Sequence, residues 1–567
     1  MDMLREEYKE AGMEKYTIGL DFGTLSVRAE LVSMTDGREA ASCIFPYPHA
    51  VMENVLPDGV TPLPDKFALQ HPQDYIDGLI HTVRGVMRES GVLPEQVVGI
   101  GMDVTSASIL PVFKDKTPLC LTEAFASEPH AWIKLWKHHA GEEEALEIDR
   151  TGRVLHEPWV QMYGGKVSAE WATPKVLETL RKAPEVYETA DYFLEVMDWL
   201  TWILTDSLST STSAAGYKAL HHHAYGFPSE AFFKALDPRM EHFIRDKYDL
   251  PVLPPGGCAG LLTEKMAAVL GLRAGTPVSV PAIDAHCSMP GGGIDDPNEM
   301  MIVMGTSSCH LLLTEDTISV PGMQGVVKWG ILPDYYGSEA GQSCVGDLFA
   351  WFMDHMVPAA YEAEAKEESI SVHELLCRKL KGYRAGASGL IALDWMGGVR
   401  SPLMDFDLSG LILGLNLKTR PEDIYLCLIE ATAFGTRAII DSYENAGVPI
   451  RRIVLGGGIP RKNPFLVQVY ADVLGRPIEL AASDQACALG AAILGASAAG
   501  KEGSGYANVH EAIRALAGQA RQTIQPDPAQ TKRYDVLYDA YVELMDHFGR
   551  GGSDLMKRLL RLRREDQ

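Results

Sequence analysis

The chain carries one short pattern twice, 282 positions apart: alternating bulky residues, a Gly-Thr break, and a second alternating run. The first copy is YTIGLDFGTLSVR, residues 16–28. Tyr16, Ile18 and Leu20 fall at period two and predict a strand. Asp21-Phe22-Gly23-Thr24 ends that strand at a tight turn. Gly23 has no Cβ, so the backbone bends sharply there and lets an anionic group come close. Thr24 and Ser26 add hydroxyl donors, and Arg28 adds a fixed cation. Asp21, at the strand end, is placed to hold a water on a divalent cation. The second copy, residues 300–313, repeats the order with the turn Gly305-Thr306-Ser307. One such hairpin also reads as an ordinary polar β-turn. Two of them facing one another clamp a triphosphate from both sides. A third cluster, Gly456-Gly457-Gly458, follows a strand-like stretch at 452–455 and precedes a helical pattern from Asn463 onward. Backbone donors at a strand-to-helix turn suit a nucleotide, which assigns Gly457, Gly458 and Asn463 to it.

A chain of 567 residues exceeds a single core, and such a length corresponds to roughly three to four domains. A net charge of −25 argues against nucleic acid or an anionic membrane as partner. It leaves room for ATP, because local cations and Mg²⁺ set the field inside a site. The opening MDMLREEYKEAG has no apolar core, so no signal peptide is expected. The Ala/Gly-rich run at 486–500 is uncharged but shorter than the ~18 residues a membrane span needs. Nine cysteines lie dispersed with no ligand spacing, which suits reduced thiols and a cytoplasmic location.

In chain order, residues 1–15 are expected to form an extension. A first domain is expected over 16–289 and a second over 290–567, with the boundary at Gly291-Gly292-Gly293. Within them a helix is predicted at 72–90 and strands at 97–104 and 278–283. An amphipathic helix near the C-terminus carries Leu537, Tyr538, Tyr541, Leu544, Met545 and Phe548 on its buried stripe. The basic segment 557–564 reads as a solvated helix end, and His221-His222-His223 lacks a second ligand cluster.

Three residues stand out as chemistry. Asp284 closes an apolar strand, where open α/β sheets present ligands, although a carboxylate there also caps a following helix. Lys218 sits in the apolar AAGYKAL. A buried ammonium needs acceptors such as sugar hydroxyls, unless the side chain snorkels to the surface. Glu339, in YYGSEAGQS, accepts two hydroxyl bonds in the same way.

The three glycine turns in this order resemble the actin-like ATPase superfamily and, within it, the FGGY carbohydrate kinases, from Tyr16 onward. MDVTSAS, AGYKA, PAIDAHCSMP, YYGSEAGQSCVGDLFAWF and EATAFGTRAI look like segments of that family's ketopentose kinases. The resemblance implies an α/β protein of two actin-like (ribonuclease H-like) domains with an ATP cleft between them. It implies ATP-dependent phosphorylation of a ketopentose, L-ribulose first, with D-ribulose, D-xylulose or ribitol as alternatives. A non-metabolic actin-like ATPase is the reading from another class. ATP and Mg²⁺ are the implied cofactors, sugar and ATP the partners, and a homodimer is left open. The resemblance makes Asp284 the catalytic base and gives sugar contacts to Lys218, Glu339 and the turn at Ser106. The family pattern has alanine or glycine around Ser106, so a hydroxyl there is a departure. DWMGGVRS, residues 394–401, resembles a stretch near the adenine cleft. It departs at Gly397 and Val399 and keeps Arg400.

Overall fold

The computed structural model describes residues 13–163, 166–323 and 325–565. Residues 1–12 of the expected extension lie outside that set. Tyr16–Phe22 (β1) and Ser26–Ser33 (β2) form the first hairpin, and Glu39–Pro46 (β3) extends it antiparallel. On the other flank of β1, Val97–Val104 (β5) runs parallel. Pro277–Ser279 (β12) follows parallel, and Cys258–Leu261 (β11) closes the sheet antiparallel. Ala282–Ile283 (β13) also pairs with β5, so the order is β11-β12-β5-β1-β2-β3. A smaller sheet, ordered β4-β7-β6-β8, combines Leu69–Gln70 (β4), Ile109–Val112 (β6), Ile133–Lys134 (β7) and Tyr192–Glu195 (β8). Thr210–Ser211 (β9) and Val252–Leu253 (β10) pair with each other.

The second half repeats the plan. Glu299–Met304 (β14) and Ser308–Thr314 (β15) are the second hairpin; Tyr336–Gln342 (β17) and Gly325–Lys328 (β16) extend it. Ile391–Leu393 (β18) and Leu411–Leu413 (β19) stand apart as a pair. Arg452–Gly456 (β20) and Ile478–Leu480 (β21) add parallel to β14, and Gln522–Ile524 (β22) closes antiparallel. The order β16-β17-β15-β14-β20-β21-β22 matches the first sheet strand for strand, with β16 as the extra edge. Each half is therefore a ribonuclease H-like sheet, and the duplicated Gly-Thr turns are the same hairpin in two copies.

The Ala/Gly-rich run forms the helix Ala486–Gly503, kinked at Gly500. It belongs to the second half of the chain but lies across β1 and β5 of the first. Only glycine lets the backbones approach this closely. A Cβ on Gly101 would sit 1.8 Å from the carbonyl oxygen of Ala491, and one on Gly19 would sit 2.0 Å from that of Ala488. Thr17 Oγ1 donates to the Ala492 carbonyl at 3.0 Å along the same seam. Among the described residues no helix is long and apolar enough to cross a membrane.

Two local expectations change. The strand expected at 278–283 is split into β12 and β13, because Pro281 between them has no N–H for a ladder. The expected C-terminal helix is Pro528–Gly549, with Tyr534, Tyr538, Tyr541 and Met545 as its fully buried stripe. Leu537, Leu544 and Phe548 flank that stripe, half-buried. All nine cysteines are unpaired.

Candidate active site

Three parallel strands of the first sheet end at one place. β1 delivers Asp21, β5 delivers Asp103 and the turn Thr105–Ser108, and β13 delivers Asp284. Asp21 and Asp103 are register partners on neighbouring strands. Burial pushes the Asp21 carboxyl above its ordinary range, against a hydrogen bond with Asp103 and the charge of Arg28. Burial, and then the charges of Asp21 and Asp284, push Asp103 well above it. Neither oxygen of Asp103 has a geometrically good partner among the described residues.

The first Gly-Thr turn is closed by Gly23 N–H donating to the Ser26 carbonyl at 3.0 Å. Arg28 stands opposite Asp21 on β2. Thr24 is fixed twice. Its hydroxyl accepts from Trp136 Nε1 at 3.1 Å, and its carbonyl accepts from Gln70 Nε2 at 2.8 Å. In the second turn Gly305 N–H donates to the Ser307 carbonyl at 2.9 Å. The carbonyls of Gly305 and Thr306 accept from Gly346, Val345 and Asp347, which seats the turn on the start of the helix Gly346–Met356. Gly305 and Thr306 themselves remain exposed.

Gly457 joins the third cluster to this turn. Its φ is 92°, and a Cβ there would meet the Met304 carbonyl oxygen at 2.3 Å. Gly458 opens on free space and starts the helix Gly458–Lys462. Asn463 is committed to the fold. Its Oδ1 accepts from Leu466 N–H at 3.0 Å to cap the helix Pro464–Leu474, and its Nδ2 donates to the Tyr425 hydroxyl at 3.2 Å.

The other side of the cleft draws on both halves. Lys218 ends the helix Thr212–Lys218 in the first half, and Glu339 lies on β17 in the second; Nζ and Oε2 are 3.2 Å apart. His286 Nε2 lies 3.5 Å from the same oxygen, while its Nδ1 pairs with Ser213 Oγ at 2.9 Å. Burial alone would raise the Glu339 carboxyl, but Lys218 and His286 hold it well below the usual range. Lys218 is thus buried against a carboxylate rather than extended to the surface. Asp284 starts the helix Asp284–Gly291 with Oδ1 accepting from Ala285 N–H at 2.7 Å. Burial first, with Asp21 nearby, pushes it up to about 7 against that hydrogen bond. As a whole residue Asp284 is half-buried. Ser106 sits half-buried in the turn after β5, tied to β1 by Thr105 N–H donating to the Phe22 carbonyl at 3.1 Å.

Three features escape sequence reading. Asp103 interrupts an otherwise apolar strand, which was its only signal. Gln70, on β4, and Trp136, in the turn after β7, reach the first turn from distant parts of the chain. Arg400, in the stretch that resembles one near an adenine cleft, has its guanidinium 3.8 Å from Glu170 Oε1, in the field of Glu339. One His/Asp group among the described residues has ligand atoms within 4.8 Å of one another: His49, His71 and Asp74. Its bonds are already internal: His49 Nδ1 pairs with Asp74 at 2.7 Å and His71 Nδ1 accepts from Gln73 N–H at 3.1 Å.

Both halves match the FGGY family of carbohydrate kinases, its N-terminal domain over residues 16–291 and its C-terminal domain over 300–499, and the chain belongs to that family. Among curated relatives, a ribulokinase of Geobacillus thermodenitrificans is 46% identical over 546 residues, 96% of this chain and 97% of the relative. A ribulokinase of Mycolicibacterium smegmatis is 42% identical over 549 residues, 97% of this chain and 96% of the relative. Solved structures share the fold. A xylulose kinase from Rhodospirillum rubrum superposes with TM-score 0.77 at 22% identity, covering 94% of this chain and 98% of that one. Plasmodium falciparum glycerol kinase with ADP gives TM-score 0.74 at 16% identity, covering 94% and 98%.

Proposed function

We propose that the chain is a ribulokinase, transferring the γ-phosphoryl group of ATP to O5 of L-ribulose to give L-ribulose 5-phosphate. The observation that carries this reading is the Lys218–Glu339 pair, contributed by both halves beside Asp284. A cation and an anion side by side in a cleft fix hydroxyls by donating to some and accepting from others. Ribulokinases 46% and 42% identical to the chain over 96% and 97% of its length support the choice of sugar. The step belongs to L-arabinose catabolism, in the cytoplasm, and the division into two lobes is placed near residue 290.

Phosphoryl transfer asks for alignment, charge neutralisation and a proton acceptor rather than covalent chemistry. Asp284 takes the proton of the attacking hydroxyl, and its elevated proton affinity, about 7, suits a base working near neutral pH. Lys218, Glu339 and the Ser106 turn orient the sugar so that one terminal oxygen lies in line with the phosphate. The turns at Gly23-Thr24-Ser26 and Gly305-Thr306-Ser307, with Arg28, hold the phosphates. Gly457 and Gly458 hold the nucleotide, with Asn463 fixing the helix that follows. Asp21 and Asp103 fit Mg²⁺, because their carboxylate oxygens at the strand ends suit the retained waters of that ion. Bound there, Mg²⁺ would neutralise phosphate charge.

The test is sugar-dependent ADP release across L-ribulose, D-ribulose, D-xylulose and ribitol. L-Ribulose is expected to give the highest kcat/KM. A higher value for another sugar removes the substrate, and ADP release indifferent to sugar removes the kinase reading in favour of an actin-like ATPase.

A further inference from the structure

The turn that carries Ser106 is held from behind by two buried charged residues that never reach the cleft. Ala107 has φ 51°, a left-handed conformation that costs a non-glycine residue energy and persists only where neighbours impose it. Lys175, on the helix Ala172–Lys182 and fully buried, donates to the Ala107 carbonyl at 2.6 Å and to the Leu135 carbonyl at 2.7 Å. Its remaining proton faces the Lys134 carbonyl at 3.4 Å. Glu195, the last residue of β8 and also fully buried, accepts from Ser108 N–H through Oε2 at 3.0 Å. The peptide group that follows the strained residue, between Ala107 and Ser108, is therefore gripped by a buried charge at each end, its carbonyl by Lys175 and its N–H by Glu195. Ser108 Oγ completes the clasp by donating to the Thr105 carbonyl at 3.0 Å.

Such an arrangement is expensive for stability alone, because two charges are taken out of water for bonds to neutral backbone groups. Burial lowers the proton affinity of Lys175 and raises that of Glu195, each opposed by the charge of the other. What the bonds do secure is one conformation of one turn, in which Ser106 is partly exposed while Thr105, Ala107 and Ser108 are buried.

We propose that Lys175 and Glu195 are positioning residues for sugar recognition, holding Ala107 left-handed so that the Ser106 segment meets the sugar. The inference rests on the reading of the cleft as a sugar site. It predicts a sugar-selective defect. Lys175→Met should raise KM for the ketopentose by about 10- to 100-fold, and Glu195→Gln, which keeps an acceptor but no charge, by about 3- to 10-fold. KM for ATP should stay within about twofold in Glu195→Gln, since Glu195 bonds the Ser108 N–H; Lys175 also holds the Leu135 carbonyl beside Trp136, which fixes Thr24, so the ATP comparison is read on Glu195→Gln. Glycine adopts positive φ without strain, so adding Ala107→Gly should return the sugar KM of either variant most of the way to wild type. A role in general stability would not be relieved by that change.

Steady-state kinetics with L-ribulose and ATP varied in turn decide it, with circular dichroism confirming the fold. Should Lys175→Met fail to fold, Glu195→Gln with and without Ala107→Gly carries the same comparison. An unchanged sugar KM, an equal rise in KM for ATP, or no recovery with Ala107→Gly overturns the inference while the function stands. A wild-type enzyme inactive on every sugar overturns the function, and this inference with it.

Discussion

Replacing Asp284 by asparagine isolates the chemical step. The carboxyl bonds the N–H of Ala285 through Oδ1 at 2.7 Å, and an asparagine carbonyl accepts that bond unchanged. The helix start therefore survives, and so does the Lys218–Glu339 pair, which does not involve Asp284. What is lost is the proton acceptor. A positioned base contributes roughly 10²–10⁴ in rate, which corresponds to ~2.7–5.4 kcal/mol of barrier at 1.36 kcal/mol per tenfold. The burial that lifts Asp284 to about 7 adds a second signature. A base works only when unprotonated, so wild-type kcat/KM should climb about tenfold per pH unit below 7 and level off above it. Asp284→Asn should lower kcat by the full factor, leave sugar affinity nearly unchanged, and flatten that limb. A coupled spectrophotometric assay of ADP release from pH 5.5 to 8.5, with calorimetric sugar binding, measures all three. Turnover above a tenth of wild type, or a limb that persists in the variant, would refute the assignment of the base.

Asp21→Asn should raise the Mg²⁺ concentration needed for half-maximal turnover while sugar binding holds, read by Mg²⁺ titration; loss of sugar affinity with unchanged Mg²⁺ dependence contradicts the metal role. Gly101→Ala places a Cβ 1.8 Å from the Ala491 carbonyl oxygen, an overlap with backbone that should cost about 1–3 kcal/mol or more and lower the melting temperature. Glu430, buried and accepting from the Tyr534 hydroxyl at 3.0 Å, is pushed up to about 8 by burial. Its folded form holds a proton that the unfolded chain releases near the ordinary 4.5, so stability falls as pH rises from there to about 8. Glu430→Gln keeps the acceptor and removes the proton, so its melting temperature should exceed wild type at pH 8.5 and converge with it near pH 4.5.

Much of the site was legible because its residues interrupt local patterns. Asp21 breaks an alternating strand, Asp284 closes an apolar one, and Gly23 and Gly305 sit between paired strands. Each interruption is visible within about ten residues. Asn463 carries two readings at once. Its position after a glycine cluster points to a nucleotide contact, and its amide also accepts from Leu466 N–H and donates to the Tyr425 hydroxyl. A cap and a contact residue look alike in one dimension, because both are short polar groups at a helix start.

The parts that stayed illegible are those in which one partner lies far along the chain. The Ala/Gly-rich helix is unmistakable as composition, yet its meaning depends on Gly19 and Gly101, hundreds of positions earlier. Small residues on one element matter only when the facing element is small as well, and only then do carbonyls and backbone nitrogens come into van der Waals range. The same logic separates Lys218 from Lys175. Both are buried lysines in helices, and neither helix names the partner its lysine will find. Lys218 finds a carboxylate from the other half of the chain and faces the cleft; Lys175 finds three carbonyls and turns away from it. Topology makes that difference, since the middle of β17 brings Glu339 to Lys218 while the helix bearing Lys175 packs behind the β5 turn. A buried lysine in a sequence therefore signals polar work without saying where, and the direction of its side chain decides between contact and support.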